Sequence, residues 1–175
     1  MWLIERVKAI IFSPRTEWPV IEREPSTLGS LLIHYVAILA AIPEIAHFIG
    51  QSLIGGYAPI GPNLLRALVV YLVTFAMVYI IAGVIDLLAP RYGAKKNFPN
   101  AVKLSVYSHT PLWLFGIFLL IPGLSFLELL GGVFTFYLLW VGLPLLMGAR
   151  RDLALPYAAI ITACALAPAV VLAIV

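Results

Sequence analysis

Five apolar stretches, each long enough to cross a bilayer, occupy most of this 175-residue chain, and the basic residues gather in alternate connections between them. A hydrocarbon core about 30 Å thick needs roughly 20 helical residues. The stretches run from Leu28 to Ile49, Leu64 to Ala89, Val102 to Ile121, Leu127 to Met147 and Tyr157 to Val175. They predict an all-α integral membrane protein with two parts. Residues 1–26 form a cytoplasmic amphipathic segment lying at the interface, and residues 27–175 form a five-transmembrane-helix bundle. Composition agrees: 11% charged residues is far below the roughly 25% of soluble chains.

The charges assign the sides. Arg6, Lys8, Arg15 and Arg23 precede the first stretch, Arg91, Lys95, Lys96 and Lys103 flank the second connection, and Arg150 and Arg151 lie in the fourth. Only Arg66 falls on the opposite side. The positive-inside rule then puts the N-terminus in the cytoplasm and the C-terminus outside, in the cytoplasmic (inner) membrane of a bacterium or archaeon. The net charge of +3 reports this orientation rather than a nucleic-acid partner, because such residues belong beside anionic headgroups. Anionic lipid at the cytoplasmic face is the expected partner. A protein partner, in the membrane or the cytoplasm, is left open. So is a homo-oligomer through the small-residue stripe Ala159, Ala163 and Ala167.

Within residues 1–26, Leu3, Ile4, Val7, Ile10 and Ile11 recur at helical spacing with Glu5, Arg6 and Lys8 opposite them. Such a helix is expected on the cytoplasmic surface, with Trp2 and Trp18 at headgroup level. Ser13-Pro14 reads as a helix stop or as an N-cap with proline at the first helical position.

Prolines interrupt the spans at Pro43, Pro111 and Pro144. Each removes a backbone donor, and in lipid the freed carbonyl needs another partner. At Pro111 that carbonyl belongs to Tyr107, and Ser108 and Thr110 supply hydroxyls, so Tyr107, Ser108, Thr110 and Pro111 make a self-consistent kink motif.

Ionisable side chains at membrane depth are costly and therefore candidates for function. They fall into two layers. At about 1.5 Å per residue, His34, Asp86 and His109 lie roughly 5–10 Å inside the cytoplasmic boundary. Glu44, His47, Arg66 and Glu128 lie near the outer one, Glu44 and His47 sharing a helix face at i, i+3. One reading is a proton or metal site. The Glu-x-x-His spacing of Glu44 and His47 is that of di-metal bundles, which use it on two helices, whereas it occurs once here. The other is structural: Glu44 pairs with Arg66, Asp86 sits at the interface, and the histidines bond to backbone or hydroxyl groups. No metal site is assigned and no cofactor is expected. The chain carries no nucleophile elbow, zinc-protease signature, phosphate loop or dinucleotide fingerprint, so no enzyme activity is expected either.

Tyr107-Ser108-His109-Thr110-Pro111, Leu120-Ile121-Pro122-Gly123 and the run from Phe134 to Pro144 resemble the bacterial branch of the Yip family, the Ypt/Rab-interacting proteins with a Yip-one domain. Phe12-Ser13-Pro14-Arg15-Thr16-Glu17-Trp18 and Tyr92-Gly93-Ala94-Lys95-Lys96 add to the resemblance. It implies five spans with a cytoplasmic N-terminus. Eukaryotic members of the family are linked to small GTPases and vesicle traffic, and carry a longer N-terminal region with an Asp-Leu-Tyr-Gly-Pro motif that is absent here. Two functions remain in competition: a membrane scaffold or adaptor that presents its N-terminal helix and basic loops to partners, and a small transporter or channel using a polar layer for protons or a divalent cation.

Overall fold

The computed structural model describes residues 2–25 and 27–174, with side chains described through residue 167. Every regular element among them is helical. We number the helices α1 (Trp2–Phe12), α2 (Pro14–Arg23), α3 (Leu28–Ile54), α4 (Ile60–Leu88), α5 (Phe98–Ser108), α6 (Thr110–Phe115), α7 (Glu128–Leu146) and α8 (Ala154–Ile174). A 3-10 turn, Ala89–Tyr92, continues α4, and two 3-10 segments, Gly116–Leu120 and Pro122–Leu127, join α6 to α7.

Among the described residues, three helices are long and apolar enough to cross a membrane: Leu28–Ile54, Ile60–Tyr92 and Pro122–Leu146. Leu65, Leu72 and Leu129 are each about two-thirds exposed. On helices otherwise apolar, that exposure suits a lipid solvent. The sequence predicts five spans, and the third and fifth stretches differ from that expectation. The third is broken: α5 stops at Ser108, α6 restarts at Thr110 with Pro111 in its first turn, and the chain then tightens into 3-10 turns. Pro111 offers no N–H to the carbonyl of Tyr107, which accounts for the break. In the fifth, the apolar part described with side chains is Ala154–Ala167, and the remainder lies outside those residues.

α3 is irregular for a related reason. Pro43 leaves the carbonyl of Leu39 without its helical donor, and the helix is interrupted at Ala40. π-helical turns occupy Leu32–Val36 and Ile49–Ile54.

The chain divides into two compact units. One comprises residues 26–76 and 109–135. Its core holds Leu31, Tyr35, Val36, Leu39 and Trp113, with the buried Tyr35 hydroxyl 2.7 Å from Thr110 Oγ1. Gly116 lets the 3-10 segment lie against Pro43, since a Cβ there would come within 2.5 Å of the proline's own.

The other unit comprises residues 1–25, 77–108 and 136–175. Its core contains Ile10, Trp18, Ile21, Ile85, Leu104, Leu143 and Tyr157. The N-terminal segment is thus two helices, α1 and α2, joined at Ser13, and they cluster with this unit. Two expectations about its faces are corrected. Trp18, expected at headgroup level, is fully buried and meets Tyr107 edge-on at 6.4 Å. Arg6, expected on the polar face, is buried, while Ile4 on the supposed apolar face is 62% exposed.

Candidate functional site

The helical run Ala41–Phe48 puts Glu44 and His47 one turn apart, and Arg66 enters from the second turn of α4. Arg66 Nη1 lies 3.8 Å from Glu44 Oε2 and 3.2 Å from His47 Nδ1. A guanidinium only donates. His47 Nδ1 is therefore the acceptor, which leaves the proton of a neutral imidazole on Nε2. At 3.8 Å the Glu44 contact is an ion pair but not a hydrogen bond, and the buried Glu44 Oε2 accepts no hydrogen bond among the described residues. Glu44 also feels the charge of Glu128. Beside this cluster is a cavity of about 440 Å³ whose walls include Glu44, Ile45, Phe48, Leu64, Leu68 and Tyr71. A half-exposed cation, a carboxylate and an imidazole beside an apolar cavity can hold a proton or a cationic group. Among the described residues, however, no three His, Cys, Asp or Glu side chains are grouped so as to hold a metal.

His34, Asp86 and His109, expected in one polar layer, each meet a different neighbour. His34 sits in the π-helical turn, exposed, with Nδ1 3.1 Å from the Ser30 carbonyl of its own helix. His109 occupies the break between α5 and α6 and lies 6.0 Å from the Trp113 ring. Asp86 is on α4, its Oδ1 buried without a hydrogen-bond partner among the described residues and its charge acting on Tyr157. Tyr157 in turn donates to the Ile85 carbonyl and stacks on Tyr92 with ring centroids 4.3 Å apart. Of the kink residues, Tyr107 and Ser108 end α5, Thr110 bonds to Tyr35, and Ser108 Oγ is buried without a hydrogen-bond partner among the described residues.

Two buried cations that organise the structure, Arg6 and Lys103, are not singled out by the sequence as buried. Arg6 forms ion pairs with Glu17 and Glu24, and its guanidinium carbon stands 5.9 Å above the Tyr107 ring. Lys103 is 6% exposed and donates to the carbonyls of Ile21, Glu22 and Glu24 at 2.9, 3.2 and 2.7 Å. Three protons thus meet three acceptors at the C-terminus of α2, where the helix dipole also favours a cation. Together these two residues fasten α1 and α2 to each other and to α5. One local signal did exist: Lys103 stands between Ala101-Val102 and Leu104-Ser105-Val106, an apolar setting unlike that of a loop lysine.

A family model for the Yip1 domain matches residues 8–173. The inner membrane protein YohC of Escherichia coli K12 is 30% identical over 160 residues, covering 85% of this chain and 82% of its own length. The YohC protein of E. coli O6:H1 matches to the same extent. No solved structure gives a significant match.

Proposed function

The chain belongs to the Yip1 domain family, and from that premise we propose that it is a scaffold or adaptor of the bacterial inner membrane. In this reading five spans hold it in the bilayer, its N-terminus is cytoplasmic and its C-terminus lies outside. The α1–α2 hairpin and the basic connections offer a fixed surface to lipid and protein. The observation that carries this is the fastening of the hairpin by Arg6 and Lys103. A segment serving only as a lipid-attracted leader has no need of internal ion pairs to shape it. Held in this form, the hairpin turns Ile4, Phe12 and Val20 outward, Phe12 being 81% exposed. Phe12 and the exposed Lys8 and Arg15 beside it suit contact with headgroups or with an acidic partner.

A photo-crosslinking residue at Phe12 in native membranes tests the reading. A recurrent protein adduct that disappears when Arg6→Ala releases the hairpin supports an adaptor. Adducts that are unchanged by the release, or confined to lipid, count against a protein-binding role. Fusions at the C-terminus test orientation: an inactive alkaline phosphatase there refutes an external C-terminus. The rival, an ion-coupled transporter, draws on the Glu44 oxygen beside the outer cavity. Ion flux in liposomes that Glu44→Ala abolishes would favour it over the scaffold.

A further inference from the structure

We propose that the unit containing the N-terminal hairpin holds one anionic phospholipid, its headgroup phosphate between Arg15 and Arg151. A cavity of about 400 Å³ lies there. Its basic lining residues are Arg15, from the first turn of α2, and Arg151, from the connection before α8. Its other wall is the cytoplasmic end of α7, through Trp140, Val141, Pro144 and Leu145. Among the described residues, no acidic side chain lines it.

None of the ion pairs among the described residues of the unit uses Arg15 or Arg151. Glu17 and Glu24 are taken by Arg6, and Asp152 by Arg150 at 2.7 Å. The Arg150 hydrogen bond holds the Asp152 carboxyl below its usual range, so that carboxylate stays ionised and engaged with Arg150. Arg15 and Arg151 have no acidic partner among the described residues. Two guanidinium groups facing one cavity suit the planar, multidentate recognition of a phosphate.

The other wall selects an amphiphile. Val141 and Leu145 belong to an apolar spanning helix, and a free anion would leave them uncovered whereas an acyl chain lies along them. Trp140, 38% exposed, adds an aromatic ring to that wall. Pro144 has no N–H for the carbonyl of Trp140, so that carbonyl lacks its usual helical donor, and a headgroup or glycerol hydroxyl of the lipid suits it. A zwitterionic headgroup is disfavoured because the cavity offers its ammonium no carboxylate. The inference rests on the reading that the hairpin lies in the headgroup layer.

The test is native mass spectrometry of the full chain in detergent, titrated with phosphatidylglycerol, with phosphatidylethanolamine, or with inorganic phosphate. The expected result is a single phosphatidylglycerol adduct, at least tenfold weaker with phosphatidylethanolamine and not displaced by millimolar phosphate. Arg15→Gln with Arg151→Gln should weaken it at least tenfold, while Lys8→Gln with Arg91→Gln, basic residues outside the cavity, should not. Thermal unfolding of each variant without lipid shows that it is folded. Should both pairs of changes weaken binding equally, attraction is diffuse and the proposal fails. It also fails if the two lipids bind alike, if the Arg15/Arg151 variant keeps its adduct, or if phosphate alone displaces the lipid. Failure of the adaptor reading would instead remove the Phe12 protein crosslinks and leave the lipid adduct intact.

Discussion

Replacing Lys103 by methionine should release the N-terminal hairpin while leaving the rest of the helices folded. The ammonium is buried, but each of its three protons has a carbonyl acceptor, so its desolvation is already offset and little is recovered by removing it. What remains is the cost to the acceptors. Glu22 is exposed and Glu24 partly so, so water can reach their carbonyls. Ile21, at 1% exposure, gives water no access. One orphaned buried carbonyl costs about 1–3 kcal/mol, and losing a cation from a helix C-terminus adds about 0.3–1 kcal/mol. A loss of about 2 kcal/mol is about thirtyfold in the docking equilibrium at 1.4 kcal/mol per decade. Hydrogen exchange in detergent reads this directly: amides of α1 and α2 should exchange about thirtyfold faster, with those of α4 unchanged. Lys103→Arg should recover only part of the protection, because a planar fork does not reproduce three bonds radiating from one nitrogen. Exchange of α1 and α2 within threefold of wild type in Lys103→Met would refute the assignment of Lys103 as the cap of α2.

In the outer cluster, Glu44→Gln or Arg66→Gln alone should lower folded yield in detergent more than the two combined, because a single change strands a charge at low dielectric. A double variant no better than the worse single one would mean that the pair is not coupled. Gly142→Ala should destabilise the unit holding the hairpin by about 1–3 kcal/mol, since a Cβ there would sit 2.5 Å from Leu104 Cδ1 and 2.8 Å from Trp18 Cε2. Unfolding in detergent at an unchanged temperature would show that the Trp18 ring can yield.

The lengths of the apolar stretches and the alternation of basic residues suffice for the class of protein, and a one-turn spacing suffices to put Glu44 and His47 on a common face. These are local properties, fixed by the 3.6-residue period and by what lipid tolerates. The breaks were half legible. Pro43 and Pro111 announce a missing donor, but the 3-10 course from Gly116 to Leu127 depends on how closely Gly116 packs against Pro43, a contact across more than seventy residues. Least legible was the direction of single charges. Arg6 and Lys103 turn inward, and Ile4 outward, because tertiary packing delivers Glu17, Glu24 and the end of α2 to those two cations. Periodicity records which residues dislike water. Whether a charge is buried depends on acceptors arriving from distant parts of the chain, since without them the desolvation penalty forbids it.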